Sequence, residues 1–165
     1  MKRGDVVLVD TCAIIEAHRT GCWNALSKGF LVETVDACVV EAQTGKAQRI
    51  YPPVSDAELR AAFHKIYTVE EFDRAAFELG KPVGVPELDP GERDLWVHAW
   101  QRPDAWYLCG PDKASMKTGF MLGQRARLVS LEAMLDCLGM KKDIKQHYSV
   151  RWLEEVLYKL NQGLL

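Results

Sequence analysis

Four acidic residues stand where oxygen ligands could converge: Asp10, Glu41, Asp94 and Asp112. Asp10 directly follows the apolar run Val6-Val7-Leu8-Val9, and Asp112 follows Trp106-Tyr107-Leu108-Cys109 across Gly110-Pro111. Glu41 falls in the second turn of a helix expected after a strand at 30–35, and Asp94 in the first turn of a helix expected to start at Asp89. Carboxylates held close together repel, so such a group persists only when protons or a divalent cation neutralise it. Oxygen-only ligands suit Mg²⁺ or Mn²⁺ rather than zinc. A pair of these ions bridged by carboxylates can activate a water and stabilise the leaving oxygen of a phosphodiester. Taken singly, each acid has a plain structural reading: Asp10 and Asp112 as helix caps, Glu41 as a helix-surface charge, Asp94 as a partner of the helix dipole. Taken in order, all at strand ends or early in the following helices, they favour a metal site.

The elements that must position these acids alternate between strand and helix. Residues 5–9 read as a buried strand, and Asp10-Thr11 opens an apolar helical stretch from Cys12 to about His18. After the strand at 30–35, Asp36 is the expected N-cap of the helix carrying Ala37, Val40 and Glu41. Pro52-Pro53 breaks the chain, and Val54 to Leu79 then shows helical periodicity, closed by Gly80, Pro82, Gly84 and Pro86. This predicts two short helices forming an insertion or cover over about 52–88. Asp89-Pro90-Gly91-Glu92 predicts a helix start, with Asp89 as cap, Pro90 in the first position and Glu92 reaching back in a capping box. A strand at 106–109, a helix from Lys113 to Leu122, a short strand at 128–130 and a helix at 131–138 follow. A final helix, capped by Ser149, places Val150, Leu153, Val156, Leu157 and Leu160 on one face. The alternation predicts an α/β domain with a parallel sheet covered on both faces. In such sheets ligands bind beyond the carboxyl ends of the strands, near the switch in strand order.

The length of 165 residues suits one domain over 1–165 with a real core. Its 48% hydrophobic and 27% charged residues are those of a soluble globular chain. The longest apolar stretches are strand-sized, so no membrane span is expected, and the start does not read as a signal peptide; a cytoplasmic location is expected. A net charge of −2 argues against a constitutively basic nucleic-acid coat protein. Five cysteines without a CxxC pair read as buried reduced thiols, not as a zinc site. No GxGxxG or GxxxxGK[ST] loop is present. Trp96, Trp100 and Trp106 read as core rather than as base-stacking platforms, and the four histidines do not cluster.

Val-Leu-Val-Asp-Thr at 7–11, the acid Glu41 in the following helix, Gly-Glu-Arg-Asp at 91–94 and the strand ending in Pro-Asp-Lys at 111–113 resemble, in order, the successive motifs of the PIN-domain family. The resemblance spans most of the chain outside about 52–88. It implies a three-layer α/β/α fold, a Mg²⁺ or Mn²⁺ site held by Asp10, Glu41, Asp94 and Asp112, and endoribonuclease activity. The family's third acid can be read at Glu92 or Asp94; Asp94 aligns better with the apolar helix that follows. Thr11 resembles the family's hydroxyl that orients ligands or phosphate. Many small bacterial relatives are toxins held inactive by an antitoxin, and often dimeric; this chain is longer than those, and Cys12 stands where many carry a small polar residue. Arg93, Lys113 and Lys117 make a basic rim suited to guiding an RNA backbone, single-stranded or structured, toward the acids. Arg125 and Arg127 read more simply as a solvated face. Two rival functions remain: a PIN-like module that binds RNA or protein without cutting, and a metal-dependent phosphatase, which would be expected to carry an acid where Cys12 stands.

Overall fold

The computed structural model describes residues 1–45 and 49–165. Strand β1 (Val6–Val9) is wholly apolar because it lies at the centre of a five-stranded sheet, buried on both faces. Its neighbours are β2 (Leu31–Val35) on one side and β4 (Tyr107–Cys109) on the other, with β3 (Lys65–Tyr67) and β5 (Leu128–Val129) at the edges. The order is β3-β2-β1-β4-β5, and every pairing is parallel.

Parallel pairing forces each strand to be followed by a return crossover, here built from helices. Helices α1 (Thr11–Arg19) and α2 (Trp23–Gly29) return the chain from β1 to β2. Helices α3 (Asp36–Thr44) and α4 (Asp56–Ala61) lead to β3, and α5 (Glu71–Gly80) and α6 (Pro90–Trp100) lead to β4. Helix α7 (Lys113–Met121) precedes β5, and α8 (Leu131–Cys137) and α9 (Val150–Asn161) complete the chain. The nine α-helices among the described residues flank an all-parallel sheet, as expected for a three-layer α/β/α fold. Ser149 caps α9 by accepting from Trp152 N at 3.1 Å, and Leu153, Val156, Leu157 and Leu160 form its buried stripe. No helix among the described residues is long and apolar enough to cross a membrane.

Three expectations are corrected. The segment 52–88 is not purely helical: β3 lies inside it and pairs with β2 in the register Glu33↔Lys65, Thr34↔Ile66 and Val35↔Tyr67. Three residues are too few for a period-two pattern to stand out against the helices on either side. Asp36 is the first residue of α3 rather than its cap, and its carboxylate instead binds Arg60 of α4 at 2.7 Å and Thr68 at 2.6 Å. Asp89 makes no side-chain cap to α6, although Pro90 does occupy the first turn.

Helix α7 meets α6 where Trp96, fully buried, donates its indole N–H to Ser115 Oγ at 2.8 Å. A Cβ on Gly119 would sit 2.7 Å from the Trp96 ring and 2.9 Å from a Leu128 methyl, so this contact has no room for a side chain. Gly119→Ala is expected to destabilise the fold by about 1–3 kcal/mol through overpacking, measured as a lower urea midpoint; an unchanged midpoint would mean that the α6–α7 contact yields freely.

Candidate functional site

The chain runs outward from β1 through β2 to β3 and then returns to the other side of β1 as β4 and β5. The switch in strand order therefore lies between β1 and β4, and the crevice beyond their carboxyl ends is the place for a ligand. Val9 pairs with Cys109, and the Asp10 amide donates to the Cys109 carbonyl at 3.1 Å, so Asp10 and Gly110 lie side by side at this crevice. A Cβ on Gly110 would come within 2.9 Å of Asp10 Oδ2; only glycine leaves that oxygen its space.

Asp10 caps α1 by accepting from the Ala13 amide with Oδ1 at 2.7 Å, and it is 2% exposed. Burial pushes its carboxyl up to about 7, and the charges of Asp112 and Glu41 add to the shift, against the Ala13 hydrogen bond. Asp112, just after β4, caps α7 in the same way, with Oδ1 accepting from Ala114 at 2.6 Å and Ser115 at 3.1 Å. The cap readings of both residues are therefore correct as far as they go. Each cap uses only Oδ1, and among the described residues neither Oδ2 makes a hydrogen bond.

Glu41 is tied to both neighbouring segments. Its Oε2 accepts from Thr11 Oγ1 at 2.8 Å, and its Oε1 accepts from the Gly91 amide at 3.1 Å. The free amide at the start of α6, which Asp89 leaves uncapped, is thus satisfied by a carboxylate from another helix, favourably placed for the helix dipole. A Cβ on Gly91 would lie 2.6 Å from Glu41 Oε2 and 3.1 Å from Cys38 Sγ, so this glycine is needed for the contact.

The third acid is where sequence and structure part. Asp94 is 5% exposed, and Arg74 of α5 grips it with both fork nitrogens, Nε to Oδ1 and Nη2 to Oδ2, each at 2.7 Å. Residues two apart on an α-helix point roughly 200° apart, so when Asp94 turns to α5, Glu92 turns away from it. Glu92 is the one that feels the other acids: its carboxyl is pushed up to about 8, first by burial, then by the charges of Asp112, Asp10 and Asp89. The half-buried Cys12 reports the same grouping. Its thiol is pushed up to about 12, by burial first and then by Asp10, Glu92, Asp112 and Glu41 in turn. Of the two acids the sequence left open for this position, Asp94 is held by Arg74, and Glu92 is the one whose carboxyl is raised by Asp112 and Asp10.

The remaining expectations divide. Lys113 is exposed and Lys117 half-buried on α7, and neither meets a carboxylate among the described residues. Arg93 leans on Asp94, Nε to Oδ1 at 3.7 Å, and that nitrogen is buried without a hydrogen bond among the described residues. Arg125 is exposed, whereas Arg127 is structural: its guanidinium lies 4.7 Å over Trp106 and donates to the carbonyls of Asp104 and Trp106. Trp96 and Trp106 are core, and Trp100 is 39% exposed against α5, packed on Phe77 and Gly80. The five cysteines are free thiols.

Among the described residues, no three Asp, Glu, His or Cys side chains lie close enough to clasp one metal ion as they stand. The donor chemistry nonetheless suits a hard divalent cation: only oxygens are offered, and glycines at 91 and 110 keep space beside two of the carboxylates. No protein-family model, curated protein or solved structure matches the chain.

Two outcomes follow from this geometry. Asp10 and Glu92 rise from ordinary values of 3.8 and 4.5 to about 7 and about 8. The folded state therefore holds these protons more tightly than the unfolded chain, and their stabilising effect is full below about pH 4 and lost as pH rises through about 7 to 8. In EDTA the melting temperature is expected to fall between about pH 5 and about pH 9, and Glu92→Gln to flatten that fall; a flat wild-type profile would contradict the crowding. At neutral pH, Arg74→Ala is expected to cost about 1–3 kcal/mol by stranding Asp94, while Glu92→Gln leaves the metal-free urea midpoint unchanged or raises it. The reverse ranking would exchange the roles assigned to the two acids.

Proposed function

We propose that this chain is a divalent-cation-dependent endoribonuclease with a PIN-like site, in which Asp10, Glu92 and Asp112 hold Mg²⁺ or Mn²⁺ and Glu41 braces them. The observation that carries the reading is that Asp10 lies against Gly110 at the switch point of a parallel sheet, Glu41 is bonded to Thr11 and Gly91 beside it, and the charges of Asp112 and Asp10 raise the Glu92 carboxyl. Such a group opposes folding unless a cation or protons balance it, so a site that keeps it needs the charge for chemistry. The ordered motifs described above supply the reaction class.

A bound Mg²⁺ or Mn²⁺ supplies positive charge that acidifies water and steadies charge developing on a phosphoryl group. The protein's part is to hold and aim. Asp10 and Asp112 are fixed by their own helix caps, so their free oxygens are presented from rigid positions. Glu41 joins Thr11 to the Gly91 amide and so fixes the first turn of α6, from which Glu92 projects. Lys113 and Lys117 sit within α7, directly beyond Asp112, where they can take up the phosphates of a single-stranded RNA. Water attacks phosphorus in line with the bond to the 3′-oxygen, and cleavage leaves 5′-phosphate and 3′-hydroxyl ends.

The test is cleavage of an end-labelled single-stranded RNA with Mg²⁺ or Mn²⁺. The expected result is fragments with 5′-phosphates, none in EDTA, and at least about a hundredfold loss in Asp10→Asn, Asp112→Asn and Glu92→Gln. Asp94→Asn, once shown to be folded, is expected to stay within about tenfold of wild type. Fragments with 2′,3′-cyclic phosphates, or undiminished cleavage in EDTA, would overturn the reading.

A further inference from the structure

Helix α5 turns Phe77 and Arg74 inward to α6, where Phe77 packs on Trp100 and Arg74 binds Asp94. At about 100° per residue, Phe72 and Leu79 share the opposite side of the helix, roughly 10 Å apart along its axis. Both are apolar, yet they are 80% and 90% exposed. The exposed Ala75 lies between them, and Val83, just beyond the helix, is 99% exposed. The partly exposed Trp100 continues the apolar surface where its ring lies against Gly80. Single exposed apolar side chains need no explanation, but a stripe of them at helical spacing marks a surface for a partner.

The two edges of the stripe differ. On one side α6 closes it, with Trp100 against Gly80 and Gln101 donating to Asp73 at 3.1 Å. On the other stand Glu71 and Glu78, each one residue before a member of the stripe and so about 100° round the helix from it. Each has a cation beside it, but a more deeply set one. The Glu71 side chain is 90% exposed against 27% for Arg74, and Glu78 is 49% exposed against 21% for Lys81. Arg74 is also committed to Asp94 through two nitrogens. The outward edge of the stripe is therefore negative.

That charge selects the occupant. A second copy docked symmetrically through this side would set Glu71 and Glu78 against their own images. An anionic lipid surface or a phosphate backbone would be repelled, since helices that lie on membranes carry Lys and Arg on their polar side. We infer that the outer side of α5 receives an amphipathic helix of another protein, whose apolar residues lie on Phe72, Leu79 and Val83 and whose adjoining Lys or Arg side chains meet Glu71 and Glu78. This surface shares no residue with the β1–β4 crevice, so its failure would leave the nuclease reading untouched.

The probes are two fluorescein-labelled helical peptides with the same stripe of Leu and Phe, flanked in one by Lys and Arg and in the other by Glu. Fluorescence anisotropy in Mg²⁺ buffer is expected to show saturable binding of the basic peptide and at least about tenfold weaker binding of the acidic one. The double variant Phe72→Ser/Leu79→Ser is expected to weaken the basic peptide about tenfold or more, with its urea midpoint unchanged because both side chains are exposed. Glu71→Lys/Glu78→Lys is expected to reverse the preference between the peptides. Equal binding of the two peptides, binding indifferent to either double variant, or no binding at millimolar peptide overturns the proposal. Self-association in sedimentation that Phe72→Ser/Leu79→Ser abolishes overturns it too, and makes a second copy the occupant.

Discussion

Repulsion among carboxyl groups that the sheet topology brings to one crevice is the constraint to which the rest of this structure answers. Asp10 is placed by β1, Asp112 by β4, Glu41 by α3 and Glu92 by α6, and the charge of each adds to the shift at Cys12. Removing the water around such charges costs far more than any single hydrogen bond returns. The fold limits the cost in two ways. It gives each fixed carboxylate amide donors, from Ala13, Ala114, Ser115 and Gly91. It also leaves Asp10 and Glu92 inclined to hold protons when no cation is near.

Helix phase then divides the labour between neighbouring acids. Glu92 and Asp94 are two residues apart and cannot face the same partner. The bidentate grip of Arg74 on Asp94 turns one acid toward α5 and leaves the other to the crevice. The segment between β2 and α6 thus does more than cover the sheet. It contributes an edge strand, a buried contact at Phe77 and the arginine that fixes the rotation of α6. Glu41 fixes the start of the same helix, through the Gly91 amide.

Much of this was legible from residue order. Apolar runs ending in Asp10 and Pro111-Asp112 mark strands that finish at one sheet edge, and the alternation of strand and helix predicts the parallel sheet that is observed. Less legible was whatever depends on contacts distant in sequence. The choice between Glu92 and Asp94 rests on an arginine twenty residues earlier. The cap of α6 comes from Glu41, fifty residues away, rather than from Asp89. Strand β3 is three residues long, and α2 is a seven-residue helix closed by Gly29, both too short for periodicity to declare them.

The central claim is that the acids at the β1–β4 crevice form one cation site, and calorimetric titration with Mn²⁺ near pH 7, repeated in buffers of different ionisation enthalpy, tests it most directly. The account predicts saturable binding that releases protons, because Asp10 and Glu92 retain them in the metal-free protein, with both binding and release lost in Asp10→Asn. Absence of saturable binding, or binding that persists in Asp10→Asn, would contradict it.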